Sequence, residues 1–269
     1  MNDNECMEFL QWALPLMRMR WPGFRKVRRQ VCRRIAGRLE ELNLAGLSDY
    51  KTCLADHPEE WKTLDSFCHI SISRFYRDIN TFRFLQDVVL KDLAKETETR
   101  KLRCWSCGCA AGEEAYTLSL IWYHVLKPYF PATDLEIIAT DSIDSMLNLA
   151  LKGRYAKSSM RELPKELLQD GFNYQDKEFM LKSQYRDSVR FIKQDVRKKM
   201  PGGPFNIILC RYLMFTYFDE KLQAELLERI LSRLVPGGAL VLGKIDRLPC
   251  KTEKLEPWSI QDRIYRKVR

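Results

Sequence analysis

The stretch Cys104-Trp105-Ser106-Cys107-Gly108-Cys109-Ala110-Ala111-Gly112-Glu113-Glu114 puts small residues where an apolar run gives way to a helical pattern. Small side chains at such a junction let a ligand approach the backbone at the carboxyl edge of a sheet. It is not a phosphate loop: it has no Gly-Lys-Ser/Thr, and two acids opening the helix would repel phosphate. It is a poor dinucleotide fingerprint as well. A ligand that is cationic, or that offers hydroxyls and an amine, suits those acids better. Further on, Ala139-Thr140-Asp141 ends the next apolar run with an acid that can grip both hydroxyls of a ribose. Asp195 follows a third run and could accept a hydrogen bond from an adenine amino group. A small-residue loop, a ribose acid and an adenine acid after successive strands describe an S-adenosylmethionine site better than a nicotinamide one.

The elements that must position these residues come in two textures. The first quarter reads as helix, with Phe9, Leu10, Ala13, Leu14, Leu16 and Met17 close to a helical stripe. After Trp21-Pro22-Gly23, with Pro22 placed to open a helix, Val27, Val31, Ile35, Leu39 and Leu42 recur at spacings of three and four. The positions between them are basic: nine Lys or Arg and no acid from Arg18 to Arg38. Short helices are predicted over 48–54 and 59–70, and a longer one from about 75 to 96. From 102 onward strands alternate with helices: strands at 102–106, 135–140, 188–192, 205–210 and 239–242, and a closing one at 264–268. This alternation predicts a parallel, doubly wound α/β sheet. Residues 153–190 are polar and irregular, which predicts an insertion or small subdomain.

Composition narrows the class. The chain has 269 residues, 45% apolar and 11% aromatic, enough for a sizeable core rather than wholesale disorder. No uncharged apolar run reaches the ~18 residues of a membrane span. Acids Asp3, Glu5 and Glu8 precede the first apolar cluster, unlike a secretory signal. Nine cysteines without framework spacing predict reduced thiols in a cytoplasmic protein. Cys104, Cys107 and Cys109 lack a convincing fourth ligand, so small buried residues rather than a metal site are expected there, and no metal is expected elsewhere. The net charge of +9 suits an acidic partner.

Read along its whole length, the chain resembles the CheR-type S-adenosylmethionine-dependent methyltransferases, whose founding members methylate receptor glutamates in chemotaxis. The resemblance extends from the basic helix to about Pro249. It rests on Ser71-Ile72-Ser73-Arg74-Phe75-Tyr76-Arg77-Asp78, similar to the family's Thr-x-x-Phe-Phe-Arg-Asp/Glu element. It also rests on Gly108–Glu114 with Tyr116, on Thr140-Asp141-Ser142-Ile143-Asp144, and on the run from Cys210-Arg211-Tyr212 to Asp219. Pro236-Gly237-Gly238 and Gly243 complete the series. It implies a class I, Rossmann-like, seven-stranded methyltransferase domain over 73–269 behind a small all-helical domain over 1–72. It implies that Glu113 neighbours the methionine amino group, Asp141 holds the ribose, and Asp195 with Val196 frames the adenine. Ser71, Ser73 and Arg77 would reach the cofactor from the domain junction. Gly108, Ile143, Arg211, Tyr212 and Leu213 would complete its binding set. Arg77 and Tyr217 would line the methyl-transfer centre, where Arg77 could fix an already ionised carboxylate.

Three departures from the family pattern lie toward the acceptor side. Cys-Arg-Asn reads Cys210-Arg211-Tyr212, and the stretch after it is one residue longer. Gly-His-Ser-Glu reads Gly243-Lys244-Ile245-Asp246. The 153–190 segment is shorter than the family's receptor-docking subdomain. The expected reaction is methyl transfer to a carboxylate on an anionic small molecule or protein. A hydroxyl, thiol or nitrogen acceptor is the alternative, as is RNA tracked along the basic helix; a non-catalytic cofactor-binding module is a further one.

Overall fold

The structure, a computed structural model, describes residues 2–268. The chain forms two compact units, Met1–Ile70 with Thr216–Gln223, and Ser71–Phe215 with Ala224–Arg269.

The first unit is helical: α1 (Asp3–Leu16), α2 (Trp21–Phe24), α3 (Arg28–Glu41), α4 (Leu47–Asp56) and α5 (Glu60–Phe67). Asn2 caps α1, accepting from the Glu5 N–H while the Glu5 carboxylate takes the Asn2 N–H, a reciprocal box that satisfies two end donors. Cys6, Phe9, Leu10, Ala13 and Leu14 of α1 are buried, as are Val31, Cys32, Ile35 and Leu39 of α3, so both stripes face inward. The basic helix begins later than its periodicity predicts. Pro22 does open a turn, but the Val27 N–H closes back on the Phe24 carbonyl, and α3 starts only at Arg28. Much of its charge is spent locally: Arg28 pairs with Asp3, Arg34 donates to the carbonyls of Phe67 and His69, and Arg38 pairs with Glu60. Glu60 is buried and also accepts from the Tyr50 hydroxyl, and Arg38 above all holds its carboxyl below the ordinary range. His69, beside the Ser71–Asp78 element in sequence, pairs with Asp65.

Packing of α1 on α3 corrects the expectation that every thiol is free. Cys6 and Cys32 stand with Cα atoms 6.0 Å apart and form a disulfide. Sequence spacing could not reveal the pair, because the two cysteines meet through helix packing. In the α/β unit Cys104, Cys107, Cys109 and Cys210 stay as buried thiols.

The second unit is α/β. It runs through α6 (Ile79–Phe84), a π-helical turn and α7 (Leu90–Glu96), then β1 (Lys101–Cys107), α8 (Glu113–Leu120), β2 (Asp134–Asp141) and α9 (Asp144–Lys152). There follow β3 (Arg154–Tyr155), α10 (Lys165–Gly171), β4 (Phe172–Gln175), β5 (Glu178–Leu181), α11 (Ser183–Arg186), β6 (Val189–Lys193) and β7 (Phe205–Cys210). The chain ends with α12 (Met214–Tyr217), α13 (Glu220–Leu231), β8 (Leu234–Leu242), β9 (Leu255–Ser259) and β10 (Ile264–Lys267). The seven-stranded sheet has the order β6-β2-β1-β7-β8-β10-β9. Its first five strands are parallel, and β10 is antiparallel to both β8 and β9. This is a seven-stranded α/β sheet of the kind the resemblance implies, mixed rather than wholly parallel. Its order reverses between β1 and β7, the switch point at which ligands of open α/β sheets sit. β1, β2 and β7 are almost continuously buried because helices cover both faces.

Two parts hold strands that no pattern in the sequence marked. Residues 153–190 contain a separate antiparallel sheet, β3-β5-β4. Its strands are two to four residues long and β4 is mostly exposed, so no alternation announces them. The edge strand β9 carries Pro257, which masks it as a loop.

Within the first unit, the segment from Thr216 lies against the turn after α1. Met19 and Phe218 form an antiparallel bridge, the Arg20 N–H donates to the Tyr217 carbonyl (2.8 Å), and the Phe24 and Tyr217 rings meet tilted, with centroids 4.9 Å apart. A Cβ on Gly23 would stand 2.3 Å from the Thr216 carbonyl oxygen. Gly23→Ala should therefore cost about 1–3 kcal/mol in thermal or urea unfolding. Gly37→Ala, where a Cβ meets nothing within 4 Å and α3 gains helix propensity, should be neutral or stabilising. Equal behaviour of the two variants would show that the Thr216 segment yields freely.

Candidate active site

β1 ends in a loop of left-handed turns: Gly108 (φ +76°), Ala110 (φ +48°) and Gly112 (φ +88°). The N–H groups of Gly108 and Cys109 both donate to the Thr140 carbonyl, which binds the loop to the end of β2. A Cβ at Gly108 would lie 2.8 Å from the Leu213 side chain, and one at Gly112 would meet Ala150, Phe191 and Tyr116 at 3.0 Å. Glycine at both points is thus a matter of dihedral and of space.

Asp141 braces this loop from β2. One carboxylate oxygen accepts the Ala110 N–H (2.9 Å) and the other the Ile143 N–H (3.0 Å). Ile143 therefore serves through its backbone. Asp195, two residues after β6, has both oxygens held by Arg197 (2.8–3.1 Å), so it arrives as an ion pair rather than a bare acceptor, with Val196 buried next to it.

At the head of α8 the two acids part company. Glu113 is only 5% exposed, and its Oε2 is buried without a hydrogen-bond partner. Burial pushes its carboxyl above the ordinary value, while its own backbone N–H and the Ser73 hydroxyl offset part of the rise. Glu114 accepts from the Ser106 hydroxyl (2.7 Å) and from Arg211 (3.0 Å). Arg211, 6% exposed, also donates to the Arg77 carbonyl and the Asp78 carboxylate, both at 2.7 Å. Burial disfavours its charge, but Glu114 and Asp78 more than compensate, raising its pKa above the ordinary value.

Asp78 also accepts from the Tyr212 hydroxyl at 2.5 Å. The Arg77 guanidinium lies 3.7 Å from the centre of the Tyr212 ring and donates to the Ile72 carbonyl (2.6 Å). Among the described residues no other group takes the remaining donors of Arg77. Beside Asp78 opens a cleft of about 900 Å³ that includes Glu162, Lys244 and Asp262 in its walls.

One unit thus gathers Ser73, Arg77, Gly108, Glu113, Asp141, Ile143, Arg211, Tyr212 and Leu213 around the ends of β1, β2 and β7. Ser71 lies in the coil leading to them. Tyr217 belongs to the helical unit, packed on Phe24. Sequence reasoning missed the parts played by Asp78, Glu114 and Asp246. Asp78 is the ion partner of Arg211, not of its neighbour Arg77, and Asp246 accepts the N–H groups of Tyr212 and Gly243 on one oxygen. Asp246 stands where the family pattern has an acid, which was a usable signal; the Asp78–Arg211 pair left none.

These residues suit S-adenosylmethionine. The unpartnered Oε2 of Glu113 is a receptor for an ammonium, Asp141 sets a carboxylate at the end of β2 beside the loop, and the left-handed loop brings backbone rather than side chains to the ligand. A buried ionised Glu113 costs the folded protein stability above its ordinary pKa of 4.5, and the cost fades as pH falls below it. Glu113→Gln should therefore raise the melting temperature of the ligand-free protein at pH 7 by about 2–4 °C, the response to ~1 kcal/mol. The gain should shrink toward zero near pH 4. A lower melting temperature at pH 7 would mean that Oε2 already has a partner.

The CheR methyltransferase, SAM binding domain family matches residues 71–264. Chemotaxis protein methyltransferase 2 of Vibrio cholerae is 30% identical over 189 residues, covering 69% of this chain and 65% of that protein. The chemotaxis protein methyltransferase of Borreliella burgdorferi is 33% identical over 175 residues, 63% of this chain and 62% of that protein. An uncharacterised 104.1 kDa protein of Rhodobacter capsulatus is 26% identical over 240 residues, 89% of this chain but 25% of that protein. The chain thus spans from a quarter to about two thirds of the length of these relatives. A solved N-methyltransferase, NodS of Bradyrhizobium japonicum in complex with S-adenosyl-L-homocysteine, is 14% identical, covers 62% of this chain and 63% of its own, and has a TM-score of 0.35, too distant to carry an argument. Residues 71–264 are well over half of the chain, they include the loop after β1, Asp141 and Arg211, and the chain belongs to the S-adenosylmethionine-dependent CheR methyltransferase family.

Proposed function

We propose that the protein transfers a methyl group from S-adenosylmethionine to a carboxylate on a protein or small molecule, giving a methyl ester and S-adenosylhomocysteine. The observation that carries the acceptor class is Arg77. Its guanidinium is held by one N–H to the Ile72 carbonyl and by its seat over the Tyr212 ring, leaving donors for a planar anion. The cofactor supplies a methyl group already activated by a sulfonium. The residues are left to orient the reactants and exclude water. Glu113 would hold the ammonium, Asp141 the ribose hydroxyls, and Arg77 the acceptor oxygens in line with the methyl. The new bond joins a carboxylate oxygen to the methyl carbon while the sulfur–carbon pair returns to sulfur. A negative and a positive charge disappear together, which a dry site favours.

A carboxylate needs no base at neutral pH, whereas an alcohol or thiol does. The phenol under Arg77, Tyr212, is pushed up to about 12 by burial and by its bond to Asp78, so it stays protonated and is a poor base. The RNA alternative is weakened by the engagement of Arg28, Arg34 and Arg38 within the helical unit.

Two variants test the assignment. Asp141→Asn keeps an acceptor for one of the two backbone N–H groups and gives up the other and the charge, and should weaken S-adenosylhomocysteine binding in calorimetry by about 10–100-fold. Unchanged affinity would remove Asp141 from the site. Arg77→Ala should lower methyl transfer from radiolabelled cofactor into a cell extract by about 100-fold with little loss of S-adenosylhomocysteine affinity. The transferred label should leave as methanol in mild alkali; alkali-stable label would sink the carboxylate reading.

A further inference from the structure

Tyr212 stands where the family pattern carries asparagine, and its surroundings are built around the ring. Its backbone is left-handed (φ +54°), with the N–H donating to Asp246 at 2.9 Å. The same Asp246 oxygen takes the Gly243 N–H at 2.8 Å, tying the turn after β7 to the turn after β8. A Cβ on Gly243 would come within 2.9 Å of the Tyr212 ring, so the glycine leaves room for it. At its far end the hydroxyl donates to Asp78 and accepts the Lys244 N–H at 3.2 Å. Asp78 is itself fixed by Arg211. The phenol is therefore held at its backbone, along its ring and at its hydroxyl. The Arg77 guanidinium lies over that ring, closer than the ~6 Å limit for a cation–π contact.

We infer that Tyr212 is a positioning residue: its anchored ring is the platform that sets the plane of the Arg77 guanidinium, and with it the direction of the donors offered to the acceptor. An asparagine amide is too small to support the guanidinium in this way and leaves Arg77 free to rotate. A guanidinium restrained in one plane selects a planar anion that can accept two parallel hydrogen bonds, in preference to a hydroxyl or an amine. This specificity role rests on the reading of Arg77 as the anchor of an acceptor carboxylate. The platform itself does not.

The test uses full-length protein labelled with [15N]arginine and saturated with S-adenosylhomocysteine, with glutarate as the carboxylate probe. The Nε–H resonance of Arg77 is identified by its loss in Arg77→Lys. Ring current should displace it from the other arginines in the wild type and in Tyr212→Phe, and Tyr212→Asn should return it to the common range. Asparagine tolerates the left-handed backbone, so Tyr212→Asn should fold. Glutarate affinity should fall about tenfold in Tyr212→Asn and recover in Tyr212→Phe, a larger change than either variant makes in S-adenosylhomocysteine affinity. An Arg77 resonance at the same position in wild type and Tyr212→Asn overturns the platform. So does a loss of S-adenosylhomocysteine affinity as large as that of glutarate, which would make Tyr212 a cofactor contact. A displaced Arg77 resonance that glutarate leaves unmoved supports the platform and defeats the carboxylate reading instead.

Discussion

A guanidinium buried in a protein must be answered by carboxylates, and the answers given to Arg211 fix the floor of the site. Its partners come from the start of α8 and from the segment before α6, 97 and 133 residues away in sequence. An unpaired buried charge costs several kcal/mol, so the pair partners are not interchangeable with water. Once Glu114 and Asp78 are committed to Arg211, Glu113 is the one of the two acids opening α8 that is left for a ligand. Asp78 can then anchor Tyr212, and Arg77, relieved of its neighbour, can rest on the ring.

The parts of this arrangement legible in the sequence are those set by local chemistry. Small residues between an apolar run and a helix announced the loop after β1, because left-handed turns and close packing both ask for glycine. The buried strands announced themselves as apolar runs, and Asp141 by standing at the end of one. What stayed hidden depends on partners far along the chain. Asp78 reads as the natural partner of adjacent Arg77, and only the fold shows it turned to Arg211. Cys6 and Cys32 meet through the packing of two helices, which no spacing encodes. β3, β4 and β5 are too short and too exposed for alternation to register. A resemblance to a family supplied roles that the residues alone did not, above all for Arg77.

Charge illustrates the same limit from the other side. A net charge of +9 and a helix dense in arginine invite an anionic partner. Much of that helix proves to be internal framework: Arg38 answers a buried glutamate, Arg34 closes the end of α5, and Arg28 ties down the first turn of α1. Composition counts charges, but only packing shows which are already spoken for.

The helical unit is not a contiguous stretch of chain. Residues 216–223, which follow the Arg211–Tyr212 turn, pack with residues 1–70. The unit therefore cannot be inherited, transplanted or deleted as a cassette. A crossover at residue 70 that brought in a foreign helical domain would pair it with eight residues shaped for another, among them Tyr217 and Phe218. Any exchange of this unit between relatives must carry two patches of sequence together, so the smallest heritable module here is discontinuous.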